Sequence, residues 1–307
     1  MGLTPCPETH SHVDTGVRLG SLSLIPFSYT AKRLLERTVV SFYKLLGEAL
    51  MLDQQRHLAE LNYLLNLLTD LTRIEKNPFN PRLDRYFFFI MKCLDHLFFF
   101  GTLTEKESSI VSLQLIRQDA VEDNRGRHGG WCIEMNPVNG IPRHKIEIPI
   151  GARKVRRIHS LLETLVHEMI HAYLGSFICR ETQCLRDSRN TIGIRSSRHG
   201  PTFRALQYAA LDNLQAWSSS YRRYIQLKGS HILPRNYEVE QERDAFVSEI
   251  YWIVANKLFP LSRPNRRDCI WVSESTVNIN IERLREKFRR ESRRPDMTRI
   301  WGSPWET

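Results

Sequence analysis

The chain has 307 residues, 41% hydrophobic, 10% aromatic and 25% charged, with 15 Gly and 14 Pro, which excludes disordered, collagen-like and coiled-coil classes and leaves a globular protein of about two domains' length. Its formal charge of +10, from 44 Lys and Arg against 34 Asp and Glu, favours polyanionic partners such as nucleic acid. The six cysteines, at 6, 93, 132, 179, 184 and 269, contain no C-x-x-C pair, so a disulfide framework, a zinc ribbon and a thioredoxin-type motif lack support and a reducing compartment is expected.

Residues 1–28 carry no sustained hydrophobic period and read as a mobile arm. Glu8 and Asp14, ahead of a short apolar patch broken by Pro26, argue against a secretory signal. The longest apolar run, Tyr86 to Met91, falls far short of the ~18 residues of a membrane span. An intracellular protein without a membrane partner is therefore expected. Between 29 and 82, Leu34, Leu35, Val39, Phe42 and Leu45, then Leu58, Leu61, Leu64, Leu65 and Leu68, recur at three- and four-residue steps, predicting one long or two consecutive amphipathic helices. The prolines and asparagines of 77–81 end them, and an aromatic-rich helix follows over about 83–99.

Ser109 to Leu115, Gly130 to Met135 and Lys145 to Ile150 read as strands of a small antiparallel sheet. A helix over about 154–174 comes next, then an Arg-rich stretch without period from Cys179 to His199. A further helix is announced by Gly200 at its cap and Pro201 at its first position. A basic helical extension over 231–307 is predicted to hold helices near Glu238 to Phe259 and Ile281 to Glu291.

The sharpest chemical signal is His167-Glu168-Met169-Ile170-His171. Inside a helix, a spacing of four puts both imidazoles on one face a turn apart, as two ligands of one Zn²⁺ require. Glu168, beside the first ligand, can act as general base on a zinc-activated water without entering the coordination sphere. Ile158, Leu161, Leu162, Leu165, Met169 and Tyr173 supply a buried stripe elsewhere on the same helix, freeing the histidine face to line a cleft.

A catalytic zinc needs a third protein ligand. The metzincin spacing is excluded, because its third histidine and its glycine would fall on Phe177 and Leu174. Glu181, Asp187, Cys179, Cys184, His199 and the Glu238, Glu240, Glu242 group remain as candidates. His199 is preferred, since it directly precedes Gly200-Pro201, where the chain turns into a helix able to pack beside the zinc helix.

The run Leu165-Val166-His167-Glu168-Met169-Ile170-His171-Ala172-Tyr173, followed by His199-Gly200-Pro201-Thr202-Phe203, resembles the SprT-like family of zinc metallopeptidases, which includes the Spartan-type DNA-dependent proteases. The resemblance spans about Asp84 to Gly229. It implies an α+β, zincin-like metallopeptidase domain over 83–230 with a small antiparallel sheet, flanked by helical N-terminal and C-terminal extensions. It further implies one zinc ion on His167, His171 and His199, with Glu168 catalytic, and a nuclear role in DNA repair. No paired-cysteine zinc ribbon or ubiquitin-binding finger accompanies the two motifs in this chain.

Function on this reading is Glu-assisted hydrolysis of peptide bonds in DNA-associated or DNA-crosslinked proteins. A residue assisting the oxyanion is left open among Tyr173, Tyr208, Tyr221 and Arg198. Six arginines (Arg180, Arg186, Arg189, Arg195, Arg198 and Arg204) face Glu181 and Asp187 in the connection beside the zinc site, a net +4 able to dock the phosphates of single-stranded or junction DNA. A second basic zone, from Arg263 to Arg299, sets eleven cations against six anions. Two other readings compete: a zinc hydrolase without nucleic-acid dependence, and a non-catalytic zinc-stabilised nucleic-acid-binding protein.

Overall fold

A computed structural model describes residues 18–45, 51–70, 81–104, 109–117, 129–150, 158–182, 184 and 199–218. The helices expected beyond residue 230 lie outside them. The described residues form an α+β structure: α1 (Ala31–Leu45), α2 (Met51–Asp70), α3 (Pro81–Leu94), a π-helical turn (Asp95–Phe99), β1 (Val111–Arg117), β2 (Trp131–Val138), β3 (Ile141–Ile150), α4 (Ile158–Phe177) and α5 (Pro201–Trp217).

The leucine periodicity of 29–82 thus resolves into two helices; Pro201 stands as expected in the first turn of α5 with Gly200 as its extended cap, whereas Pro81, expected only to end the preceding helices, opens α3 two residues earlier than the sequence suggested. Leu34 and Leu35 of α1, Leu61 and Leu65 of α2, Phe87 and Ile90 of α3, Ile146 and Ile148 of β3, Leu165 and Met169 of α4 and Phe203 of α5 belong to one buried core. The N-terminal helices therefore share their core with the helix that carries the two histidines. Thr38 of α1 and Tyr173 of α4 are both buried, and their hydroxyls hydrogen-bond at 2.8 Å. Tyr173 also packs on Phe99 and Phe177, so it braces α4 from the core and takes no part in the oxyanion role considered above.

The sheet is mixed, which corrects the antiparallel expectation. Its order is β1-β3-β2, with β2 antiparallel and β1 parallel to β3. Asn139 and Gly140 both have positive φ, 52° and 74°, and close a two-residue hairpin that seats β2 on one side of β3. β1 pairs along the other side, from Val111 with His144 to Arg117 with Ile150. β3 is longer than the sequence suggested because it begins at the hairpin, at Ile141. β2 is left as an outer strand, with Ile133, Met135 and Val138 exposed.

Of the arm expected over residues 1–28, the described part is not mobile, and residues 1–17 lie outside the described residues. From Leu19 the chain is packed, with Leu19, Leu24, Ile25, Ser28 and Tyr29 buried. Phe27 N–H donates to Ser176 O at 2.9 Å, Tyr29 N–H to Phe177 O at 3.1 Å, and Cys179 N–H to Tyr29 O at 2.8 Å. This strap satisfies carbonyls at the C-terminal end of α4 that the helix itself leaves unpaired. It has no period because it is neither helix nor paired strand, and aperiodic burial escapes a reading based on pattern.

His144 on β3 is a buried imidazole, with Nδ1 3.7 Å from Cys132 Sγ and no hydrogen-bond partner at Nε2. Burial pulls its pKa from 6.5 down to about 4; Glu134 opposes this and Arg180 assists it. Between those values the unfolded chain takes up a proton that the folded chain refuses, so stability falls as pH drops through that window and is regained above it. The contribution is about 3 kcal/mol. His57 and His167, also lowered to about 4, act in the same direction. Urea unfolding at pH 7 and pH 4.5 should show a shallower pH dependence for His144→Gln than for the wild type; equal slopes would remove His144 from the account.

Candidate metal centre

α4 supplies His167 and His171 one turn apart, with ring centroids 5.0 Å from each other. His199, held between the chain's turn and the first residues of α5, brings its ring to 4.6 Å from His167 and 5.1 Å from His171. The Nε2 atoms of His171 and His199 are 3.1 Å apart, and one ligand atom from each of the three histidines lies within 4.8 Å of the others. Tetrahedral donors at zinc-nitrogen distances stand about 3.3 Å from one another. Two imidazole nitrogens facing at this range hold one proton between them at most, and a shared cation relieves the opposed lone pairs. The residues present fit a divalent ion.

Phe203 fixes the three rings. It is fully buried in the first turn of α5, four residues after His199, and its ring centroid lies 4.8, 4.4 and 4.7 Å from those of His167, His171 and His199. Burial, followed by the neighbouring His199, lowers the His167 pKa to about 4; burial and then Arg204 lower that of His199. Both imidazoles are then neutral at pH 7, the form that ligates. The Gln207 amide lies 3.4 Å from Nδ1 of His167, leaving Nε2 for the shared centre.

Glu168 is only 5% exposed, and burial pushes its carboxyl up to about 7 against the opposing effect of a hydrogen bond from the Cys132 N–H on β2. That contact needs β2 close to α4, and Gly130 makes room for it. A Cβ there would stand 2.8 Å from Thr164 Cγ2, 3.1 Å from Glu147 O and 3.3 Å from Glu168 Cγ. Gly130, Cys132 and Gln207 were missed from the sequence. Gln207, four residues beyond Phe203, had a helical-spacing signal; the backbone contact to β2 had none.

Among the other third-ligand candidates, Cys179 and Cys184 are buried together in a separate small cluster and form no disulfide, and Glu181 is exposed. Asp187 and the Glu238, Glu240, Glu242 group lie outside the described residues, as do Arg186, Arg189, Arg195, Arg198 and Tyr221. Of the six arginines, Arg204 neighbours His199, and Arg180 is exposed. The Arg180 guanidinium lies 4.0 Å over the Phe27 ring and pairs with Glu134 of β2, so it ties the strap to the outer strand. A second group of possible ligands, Asp53, His57 and His96 with Glu60 and Cys93 nearby, was not anticipated.

No protein-family model matches the chain, and no curated protein or solved structure matches it either. No described helix is long and apolar enough to cross a membrane.

Proposed function

We propose that the chain is a zinc-dependent endopeptidase of SprT-like type that acts on DNA-associated or DNA-crosslinked proteins. The observation that carries this reading is the convergence of His167, His171 and His199 beside a buried carboxyl, Glu168, next to an outer strand. The three histidines would hold the ion. When bound there, zinc supplies a Lewis acid that polarises a carbonyl and brings the pKa of a water toward neutrality.

The remaining work falls to the chain's own groups. The Glu168 carboxylate accepts a proton from the attacking water and returns it to the departing amine. Its burial, which raises its affinity for a proton, favours that uptake. β2 has no second strand partner among the described residues, and beyond Cys132, whose N–H is taken by Glu168, it exposes Ile133 and Met135 on an edge to which an extended peptide can add as a further strand. Phe203 and Gln207 keep the imidazoles in place. Of the arginines between 180 and 204, the two described ones, Arg204 beside His199 and Arg180 beside Glu134 on β2, support docking of nucleic-acid phosphates near this edge.

The test is cleavage of casein and of histone by the zinc-loaded chain, with and without single-stranded DNA and over a range of salt. Cleavage should disappear with a chelator, return with zinc, and rise with DNA more strongly at low salt. Zinc-dependent cleavage indifferent to DNA at every salt concentration would leave a hydrolase without the nucleic-acid requirement. His199→Ala should hold one equivalent of zinc fewer than the wild type after dialysis; equal zinc content would exclude residue 199 as a ligand.

A further inference from the structure

Where α2 packs on α3, a histidine, a glutamate and a cysteine converge. His57 and Glu60 stand three residues apart on α2, and Cys93 belongs to the last turn of α3. One donor atom from each, a nitrogen, an oxygen and a sulfur, lies within 4.8 Å of the others. Two donors at i and i+3 on one helix, faced by a third from its neighbour, are how helix bundles build metal sites between their helices.

The orientation of the His57 ring is constrained by its neighbours. It stacks on His96 with centroids 4.1 Å apart and planes within 15°, so the two rings present their nitrogens in separate parallel layers and cannot share one ion. Nε2 of His57 is 3.5 Å from Asp53 Oδ1, and Nδ1 is 3.8 Å from Glu60 Oε2. Asp53, the nearer carboxylate, favours the ring proton on Nε2, which turns the Nδ1 lone pair toward Glu60. Burial, followed by His96, lowers the His57 pKa to about 4, so the ring is neutral at pH 7.

Hydrogen bonding accounts for only part of this group. The Cys93 thiol is 1% exposed and donates to Glu60, whereas His57 Nδ1 is buried and has no hydrogen-bond partner. An imidazole lone pair and a carboxylate thus oppose each other across 3.8 Å with no proton between them, and a cation relieves that opposition. Nitrogen, oxygen and sulfur donors around one zinc stand about 3.3 to 3.5 Å apart, so this pair has only about half an ångström to close. Leu58 and Leu61 on α2 and Ile90 and Leu94 on α3 belong to the shared core, which keeps the two helices at a fixed distance. Ligands held in this way need little reorganisation to bind.

We propose that His57 Nδ1, the Glu60 carboxylate and Cys93 Sγ form a second metal site, for a divalent cation of the zinc class, which clamps α2 to α3. One sulfur, one imidazole nitrogen and one carboxylate select zinc over magnesium and calcium, which prefer all-oxygen surroundings. Burial and then the Glu60 charge push the Cys93 thiol up, so without an ion the sulfur keeps its proton. Binding exchanges the two: the S–H bond breaks as the sulfur–metal bond forms, and the proton passes to water. The Glu60 side chain is 30% exposed, so a water completes the coordination from that side. Asp53 binds no metal here and positions His57 through Nε2. The site uses no residue of the three-histidine centre and goes beyond the peptidase reading, so either can fail without the other.

Cobalt(II), a spectroscopic stand-in for zinc, tests this in the full chain after treatment with a chelator. The wild type should bind two equivalents, and a sulfur-to-cobalt charge-transfer band should grow in with one of them. Zinc should erase the band and magnesium should leave it. Cys93→Ala should lose the band and one equivalent, and Glu60→Gln should weaken the band-forming equivalent at least tenfold. A variant with His167→Ala, His171→Ala and His199→Ala should bind one equivalent and keep the band, which separates this site from the three-histidine centre. A wild type that shows no band, a band that survives in Cys93→Ala, or a cobalt affinity unaltered by Glu60→Gln would overturn the assigned donors. Where circular dichroism shows Cys93→Ala unfolded, the wild-type band and its response to Glu60→Gln decide by themselves, and the absence of either would overturn the site.

Discussion

Replacing Glu168 by glutamine should lower peptide cleavage roughly 10³-fold while leaving zinc content and fold unchanged. The loss corresponds to about 4 kcal/mol of barrier. Glutamine has nearly the same shape as glutamate, and its amide oxygen can still accept the hydrogen bond from the Cys132 N–H, so the packing of β2 on α4 has no reason to change. What the amide cannot do is take up a proton near neutral pH. Glu168 is not among the three ligands, so its removal should not release the ion. The assay compares initial rates on casein, zinc content and thermal midpoint for wild type and Glu168→Gln. Cleavage within a few-fold of wild type would dismiss Glu168 as the base. Loss of zinc together with activity would show it to be a ligand, or a group on which the ligands depend.

Features that local chemistry dictates were legible in the sequence. The helix of His167 and His171 follows from its apolar spacing, and the placement of His199 from the Gly200-Pro201 cap, because each depends on residues within a turn or two. The hairpin was also legible: Asn139-Gly140 supplies the two positive φ values of a tight turn, and reading it would have lengthened β3 to Ile141. The parallel pairing of β1 was not, because it depends on which edge of β3 the hairpin leaves open. Nor was the burial of Glu168, which results from Gly130 letting a distant strand approach. The His57 and Glu60 spacing is visible on one helix, but Cys93 comes from another element, brought near by tertiary packing.

Much of the structure supports α4 from the side away from its histidines. Tyr173 is fixed by Thr38 of α1, the end of α4 is capped by the strap, and Arg180 links that strap to β2 through Phe27 and Glu134. The N-terminal helices, which lie outside the family resemblance, thus act on the centre by holding the histidine helix in register. The imidazoles of α4 meet His199, just ahead of α5, only if the two helices keep a fixed separation, and α4 and α5 are kept apart by Phe203 and braced by the shared core.

Asp95→Ala should destabilise the chain by about 3 to 5 kcal/mol, the largest stability change expected of a single residue remote from the three-histidine centre. Asp95 is fully buried and accepts from two backbone N–H groups and one hydroxyl, those of Leu103 and Thr104. Alanine would leave these donors buried without the acceptor, and each orphaned group costs more than the net gain of one ordinary hydrogen bond. The effect should extend into the sheet, because Leu103 O receives the N–H groups of Ile110 and Val111 where β1 begins. Asp95→Asn keeps one acceptor oxygen but turns an amide N–H toward other donors, so its loss should fall between wild type and alanine. Thr104→Val removes only the hydroxyl donor and should cost about 1 kcal/mol, and in the Asp95→Ala background it should cost less, since its acceptor is already gone. Urea unfolding of the four variants and the wild type measures each step of this cycle. A loss below about 1 kcal/mol for Asp95→Ala, or additive effects of the two substitutions, would mean that the turn is held by its backbone hydrogen bonds and apolar packing rather than by this carboxylate.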